Sequence, residues 1–226
     1  MKVILFGATG MIGQGALREC LLDPGVEAVL AVGRRPTGQR HEKLRELVRE
    51  DLFDLSPVEA GLAGFDACLF CLGVSSAGMD EAAYRRVTRD LTLSVAATVL
   101  KASPAVTFLY VSGAGTDATG RGRTMWARVK GETENALLAM PFRSAYMLRP
   151  GYIQPVHGVT SRTGLYRALY AVAGPLYPLW RALFPRQVTT TERLGRAMLL
   201  LARNGAPRRV LETADLEALL PPGGPR

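Results

Sequence analysis

Apolar residues fall in unbroken runs along much of this chain instead of alternating with polar ones. Val3-Ile4-Leu5-Phe6 is the first such run, and others lie within 27–32, 67–72, 106–111 and 144–148. A run of this length predicts a strand buried on both faces, because an alternating pattern would leave one face wet. Between the runs the spacing is helical. A helix is predicted at 11–22, another at 80–101 and a third at 124–139. In the second, Asp80 is placed to cap the N-terminus, and Leu91, Val95, Val99 and Leu100 recur at helical intervals. A further strand is expected around 47–52. Strands separated by helices imply an α/β protein, a doubly wound parallel sheet covered on both faces. Its ligand crevice should lie at the carboxyl ends of the strands, where the loops beginning at Gly7, Gly33, Gly73, Ser112 and Pro150 converge.

After Gly151 the rhythm changes. Helical segments at 164–184 and 191–202, then a short strand at 209–212, predict a small, mostly helical cap over the substrate side, its elements within 151–220. At 226 residues, 48% hydrophobic and 21% charged, the composition suits one core, so 1–226 is read as a single domain. Met1-Lys2 leads straight into the first strand, which leaves no room for a signal peptide and predicts a cytoplasmic protein. The stretch between Arg167 and Arg181 is uncharged but too short to span a bilayer and is broken by Pro175 and Pro178. No integral membrane segment is expected; peripheral contact through its tyrosines and Trp180 stays open beside an apolar lid.

The net charge of +8 permits anionic partners. The arginines are scattered, without a basic arm or interleaved aromatics, so no nucleic acid is expected. Cys68 and Cys71 form a CxxC, but residues three apart on one strand point to opposite faces and do not share a metal. His41 and His157 lack metal-ligand spacing. No metal is predicted.

The chemistry begins at Gly7-Ala8-Thr9-Gly10-Met11-Ile12-Gly13, directly behind the first strand. A glycine turn leading into a helix aims free backbone N–H groups and the positive end of the helix dipole at one point, where a pyrophosphate is stabilised. Gly7 allows the tight turn, Gly10 the close approach of phosphate, and Gly13 close packing of the helix. The spacing is GxxGxxG, and the Lys-Ser or Lys-Thr pair of an NTPase loop is missing, so a dinucleotide is favoured over ATP. At the end of the second strand stand Arg34 and Arg35, where an acidic residue would bond the ribose 2′-hydroxyl of NAD. Arginines there neutralise a 2′-phosphate and point to NADP. Asp51-Leu52 is expected at the adenine edge, and Leu72-Gly73 is expected to give the cofactor backbone passage.

Taken in order, the glycine turn, Val32-Gly33-Arg34-Arg35, Cys71-Leu72-Gly73, Tyr110-Val111-Ser112 and Arg149-Pro150-Gly151-Tyr152 resemble the atypical and extended branches of the short-chain dehydrogenase/reductase superfamily over about the first 155 residues. The resemblance implies a Rossmann-like fold with Ser112 as the active-site serine and Lys130 as the lysine that holds the nicotinamide ribose. It also implies that Pro150, Gly151, Tyr152 and Ile153 line the nicotinamide. One position departs from the pattern. Family enzymes carry Tyr-x-x-x-Lys, and here the segment reads Trp126-Ala127-Arg128-Val129-Lys130. An indole N–H donates a hydrogen bond but transfers no proton near neutral pH. Tyr84, Tyr110 and Tyr152 are the substitute donors, Tyr152 being best placed in sequence.

Two expectations follow. The first is an NADP-binding oxidoreductase or epimerase-like enzyme of atypical type, acting on a small carbonyl-type substrate with Ser112, Lys130 and Tyr152 at the reacting end. The second is a non-catalytic NADP-binding sensor or interaction module, to which the missing tyrosine points. A membrane-surface enzyme acting on a lipid is a third idea, resting on the apolar cap alone. Both a monomer and a homodimer fit.

Overall fold

The computed structural model describes residues 1–159, 183, 184 and 186–221. Seven strands, β1 (Lys2–Phe6), β2 (Ala28–Gly33), β3 (Leu44–Val48), β4 (Ala67–Phe70), β5 (Thr107–Val111), β6 (Ser144–Arg149) and β9 (Val210–Glu212), form one sheet in the order β3-β2-β1-β4-β5-β6-β9. Every pairing in it is parallel. The winding reverses between β1 and β4, which opens the crevice that the sequence places at the strand ends. Two short strands, β7 (Tyr152–Gln154) and β8 (Val188–Thr190), pair separately.

Strand parity divides the interior into two layers. Val3 and Leu5 face a core completed by Leu17 of α1 (Met11–Leu22) and Met198 of α5 (Thr191–Asn204). Ile4 and Phe6 face the other, with Val95 and Val99 of α3 (Leu91–Ala102) and Leu137 of α4 (Met125–Ala139). In that second layer Phe6, Phe70, Phe108 and Phe142 follow one another across the sheet at centroid separations of 5.7, 5.9 and 4.9 Å. Such offset aromatic contacts add to the area they bury. Cys68 lies in the second layer and Cys71, just past the strand, packs against the first, so the two thiols are on opposite sides of the sheet.

α1 and α5 cross at two glycines. A Cβ on Gly15 would lie 2.6 Å from the Thr191 carbonyl oxygen, and one on Gly195 would lie 2.9 Å from Glu19 Cγ. The C-terminal part of the chain is thereby locked against the helix that carries the glycine turn. After β9, α6 (Thr213–Ala218) closes the described chain.

Three element predictions need correction. The strand expected at 47–52 is Leu44–Val48, because its register with β2 ends at the Gly33–Val48 pair. Beyond it Asp51 Oδ1 accepts from the Phe53 amide at 2.8 Å, which turns the chain. The helix expected at 80–101 is not uniform: α2 (Glu81–Arg85) and α3 are joined by a π turn at Arg86–Asp90, while Asp80 does cap the start by accepting from Ala83 N at 2.8 Å. The fourth strand stops at Phe70, so Cys71 and Leu72 belong to the loop over the crevice. The segment expected to be helical at 164–184 lies outside the described residues except for 183 and 184. Among the described residues no helix is long and apolar enough to cross a membrane.

Candidate functional site: two adjoining cavities at the strand ends

The glycines of the first turn have different reasons to be glycine. Gly7 adopts φ +81°, and a Cβ there would come within 2.8 Å of the Cys71 backbone. A Cβ on Gly13 would lie 2.0 Å from the Gly7 carbonyl oxygen, inside any possible contact. These two are demanded by the protein itself. Gly10 is different. A Cβ there meets only the Gly7 oxygen at 3.4 Å, and one on Gly73 meets nothing within 4 Å. Their bareness faces the crevice, where backbone approach to a ligand is what a missing side chain permits. The first turn of α1 carries no acidic residue, so nothing there opposes an anion at its amides. By these tests the residues fit a pyrophosphate.

On one side of the turn a cavity of about 470 Å³ is lined by Gly7, Ala8 and Thr9, by Gly33, Arg34, Arg35 and Thr37 after β2, and by Glu46, Val48, Glu50, Leu52 and Leu72. Arg34 and Arg35 are exposed, as an arginine reading a phosphate from solvent would be. Glu46 holds the loop after β2 in place, accepting from the Thr37 amide at 2.6 Å. Of the pair expected at the adenine edge, Leu52 lines this cavity and Asp51 does not, its carboxylate being used on Phe53. Glu46 and Glu50 are the acidic groups on the wall. Sequence reasoning missed Glu46 because the strand was started three residues too late, and Glu50 because the strand ends at Val48, short of the place expected for it.

On the other side a cavity of about 340 Å³ is lined by Gly10, Met11, Ile12, Cys71, Leu72, Gly73, Val111, Ser112, Lys130, Pro150, Gly151 and Ile153, among others. Ser112 and Lys130, eighteen residues apart, are joined here: Lys130 Nζ donates to the Ser112 carbonyl oxygen at 2.9 Å. β5 delivers the serine and α4 the lysine. Lys130 also sits over the Tyr110 ring, 5.8 Å from its centroid. Burial depresses its pKa to about 8, against a smaller upward pull from Glu134 one turn along the helix. Glu134 is itself committed, with Arg149 Nε at 3.0 Å and Nη2 at 2.5 Å in a buried pair. That pair ties α4 to the end of β6, next to Pro150 and Gly151.

The hydroxyl of Ser112 has a partner the sequence did not suggest. Thr116 Oγ1 donates to the Gly113 carbonyl oxygen at 2.8 Å and lies 2.9 Å from Ser112 Oγ. With the threonine hydrogen so used, the serine donates to the threonine. The three tyrosines weighed as proton donors lie elsewhere. Tyr84 and Tyr110 are buried, and desolvation pushes the Tyr110 phenol well above its ordinary range. The Tyr152 hydroxyl donates to Gln154 Oε1 at 2.7 Å, and Tyr152 is not on the cavity wall, whereas Pro150, Gly151 and Ile153 are. The Trp126 ring lies against Gly115, where an added Cβ would be 3.7 Å from its Cη2. Among the described residues no group of three or more His, Cys, Asp or Glu side chains is placed to hold a metal ion.

Comparison with known proteins bears on the fold and the family. The protein named fmp52, mitochondrial, from Emericella nidulans is 28% identical over 159 residues, which cover 67% of this chain and 66% of that protein. FMP52, mitochondrial, from Eremothecium gossypii is 30% identical over 155 residues, 68% of this chain and 66% of the relative. The chain thus spans about two thirds of the length of these curated relatives. Among solved structures, the Bordetella bronchiseptica enzyme WbmF in complex with NAD+ superposes with a TM-score of 0.66 at 16% identity, over 96% of this chain and 76% of that one. A short chain dehydrogenase family protein from Francisella tularensis gives 0.63 at 15% identity, over 90% and 91%. At such identities the likeness is one of fold. The relatives' names overturn the cytoplasmic expectation, since they place those proteins in the mitochondrion. The model of the NAD dependent epimerase/dehydratase family matches residues 3–146, from the first strand through the glycine turn to the middle of β6, and this chain belongs to that family.

Proposed function

We propose that the chain is an NADP-binding oxidoreductase or epimerase-like protein of the atypical short-chain type, acting on a small carbonyl-type substrate. The observation that carries this reading is the meeting of the glycine turn, Ser112 and Lys130 on one cavity. Arg34 and Arg35 line the neighbouring one. When bound, the nicotinamide ring supplies hydride transfer. The chain's own part is to bind, orient and supply a proton. In this reading the amides of Met11, Ile12 and Gly13 hold the pyrophosphate with Thr9 at the rim, and Arg34 and Arg35 hold the 2′-phosphate. Leu52, Leu72 and Gly73 form the walls of the passage. Lys130 Nζ, fixed by the Ser112 carbonyl, orients the ribose, and Pro150, Gly151 and Ile153 make the apolar side. The Tyr152 hydroxyl would have to leave Gln154 to reach this cavity, so water is the better proton source.

The coenzyme assignment is tested by replacing Arg34 and Arg35 with alanine and titrating both dinucleotides. Charge-assisted phosphate contacts contribute about 1.5–3 kcal/mol each in favourable geometry and less when exposed. NADPH should weaken by about tenfold to a hundredfold, with NADH nearly unchanged; equal weakening of the two would contradict the assignment.

A second reading, a non-catalytic NADP-binding module, is favoured by one observation. The Ser112 hydrogen is directed to Thr116, and among the described residues no tyrosine lines the cavity. It predicts NADPH binding without consumption across a panel of aldehydes, ketones and enones. Robust turnover by the purified protein would remove it.

A further inference from the structure

The chain has four lysines, Lys2, Lys43, Lys101 and Lys130. Three are in ordinary surroundings. Lys2 is exposed, Lys43 donates to the Leu21 and Asp23 carbonyls at 3.2 and 2.9 Å, and Lys101 pairs with Glu59 at 2.8 Å. Lys130 lines a cavity, and its hydrogen-bond partner is a neutral carbonyl. Its neighbour Glu134, the acid best placed by helical spacing, is occupied by Arg149. This set of contacts does not require the charge. A carbonyl oxygen accepts from a neutral amine as well as from an ammonium, so Lys130 keeps its hydrogen bond when it loses the proton. The Tyr110 ring, at 5.8 Å near the outer limit of a cation–π contact, is a neighbour that favours the charged form.

We propose that Lys130 is a carbonyl-capturing amine, whose Nζ adds reversibly to small aldehydes entering the cavity between Gly10, Ser112 and Gly151. The lone pair of the neutral nitrogen attacks the carbonyl carbon. The new C–N bond forms as the C=O π bond breaks, and the oxygen takes a proton from the nitrogen through water. The carbinolamine nitrogen then gives up its remaining hydrogen, the hydroxyl leaves with a proton as water, and the nitrogen lone pair closes the C=N bond of an imine. Nothing is oxidised or reduced. Burial, which brings the pKa to about 8, provides the reactive form at neutral pH. At pH 7.5 roughly a quarter of such an amine is neutral, against roughly a thousandth of a solvated lysine with its ordinary pKa near 10.4. This capture does not depend on turnover; it shares the cavity and Lys130 itself with the function proposed above, so bound coenzyme and aldehyde compete for the amine.

The test is reductive methylation of the full chain with ¹³C-formaldehyde and cyanoborohydride at pH 7.5, mapped by peptide mass spectrometry. Lys130 should be methylated at least tenfold faster than Lys2, Lys43 and Lys101, with a rate that rises to about pH 8 and then levels. Methylation of Lys130 no faster than that of exposed Lys2 would overturn the proposal. So would a Lys130 rate still climbing at pH 10. Lys130→Arg should abolish the label at that peptide. If that variant does not fold, the map of the unsubstituted chain decides alone. Added NADPH should slow Lys130 labelling; fast labelling that NADPH leaves unchanged would count against the coenzyme's position while upholding the capture.

Discussion

The two cavities at the strand ends are built by different means. The wall beside Gly7 and Gly13 is backbone held by backbone: positive φ at Gly7, a carbonyl that leaves no room for a Cβ at Gly13, and a loop pinned by Glu46 on the Thr37 amide. The wall beside Ser112 and Lys130 takes its polar character from side chains that already hold protein partners, with the Glu134–Arg149 pair behind it. A backbone wall specifies a shape, and a phosphate-bearing ligand needs little more. A side-chain wall specifies chemistry, and its proton inventory changes with one substitution. The two halves should therefore fail differently when perturbed.

The largest effect is expected beneath the side-chain wall. Glu134 is fully buried and Arg149 nearly so, and removing Glu134 leaves the guanidinium only a longer contact of 3.4 Å to the half-exposed Glu212. Glu134→Ala should lower unfolding stability by about 3–5 kcal/mol, read from urea denaturation. Replacing both Glu134 and Arg149 with methionine should recover most of that loss. A double variant as unstable as the single one would show that the pair is not acting as a pair.

Next come two glycines only three residues apart. Gly13→Ala puts a methyl 2.0 Å from the Gly7 oxygen and should cost about 1–3 kcal/mol of stability or more. At Gly10, where φ is −81° and only one atom is near, alanine should leave the denaturation midpoint almost unchanged. Its effect should fall on the ligand instead, weakening NADPH by roughly tenfold, or about 1.4 kcal/mol. If Gly10→Ala destabilises the chain as much as Gly13→Ala does, the glycine turn is only a packing device.

The same contrast governs how much could be read from the chain before its structure. Buried parallel strands announce themselves as apolar runs, and a glycine turn has a fixed place behind the first of them, so β1, α1 and the sheet class were legible in local pattern. So was the approach of Gly10, Ser112, Lys130 and Gly151, through the order of the motifs. β3 is the sheet edge and half exposed, with no continuous apolar run; its ends were displaced, and with them Glu46 and Glu50 were overlooked. Hydrogen-bond commitments were invisible for another reason. That Thr116 takes the Ser112 hydrogen, or that Gln154 takes that of Tyr152, depends on side-chain placement and leaves no trace in spacing.

The smallest predicted effect is the one that separates the two walls most cleanly, because it depends on pH. The Lys130 pKa is lowered chiefly by burial, with Glu134 pulling the other way, to about 8 in the folded chain. In the unfolded chain it returns to about 10.4. Between those values the unfolded state binds more protons than the folded one, so the lysine makes stability rise as pH increases through about 8 to 10.4. Below pH 8 its cost is constant and at its greatest. Lys130→Met removes the charge while keeping much of the apolar stem, and should stabilise the chain at pH 7 by on the order of 1 kcal/mol, allowing for partial solvent screening. That advantage should shrink toward pH 10, as paired urea titrations at pH 7, 8.5 and 10 will register. A constant difference between variant and parent would mean that Lys130 keeps an ordinary lysine pKa, and the side-chain wall would then hold an ammonium at every physiological pH.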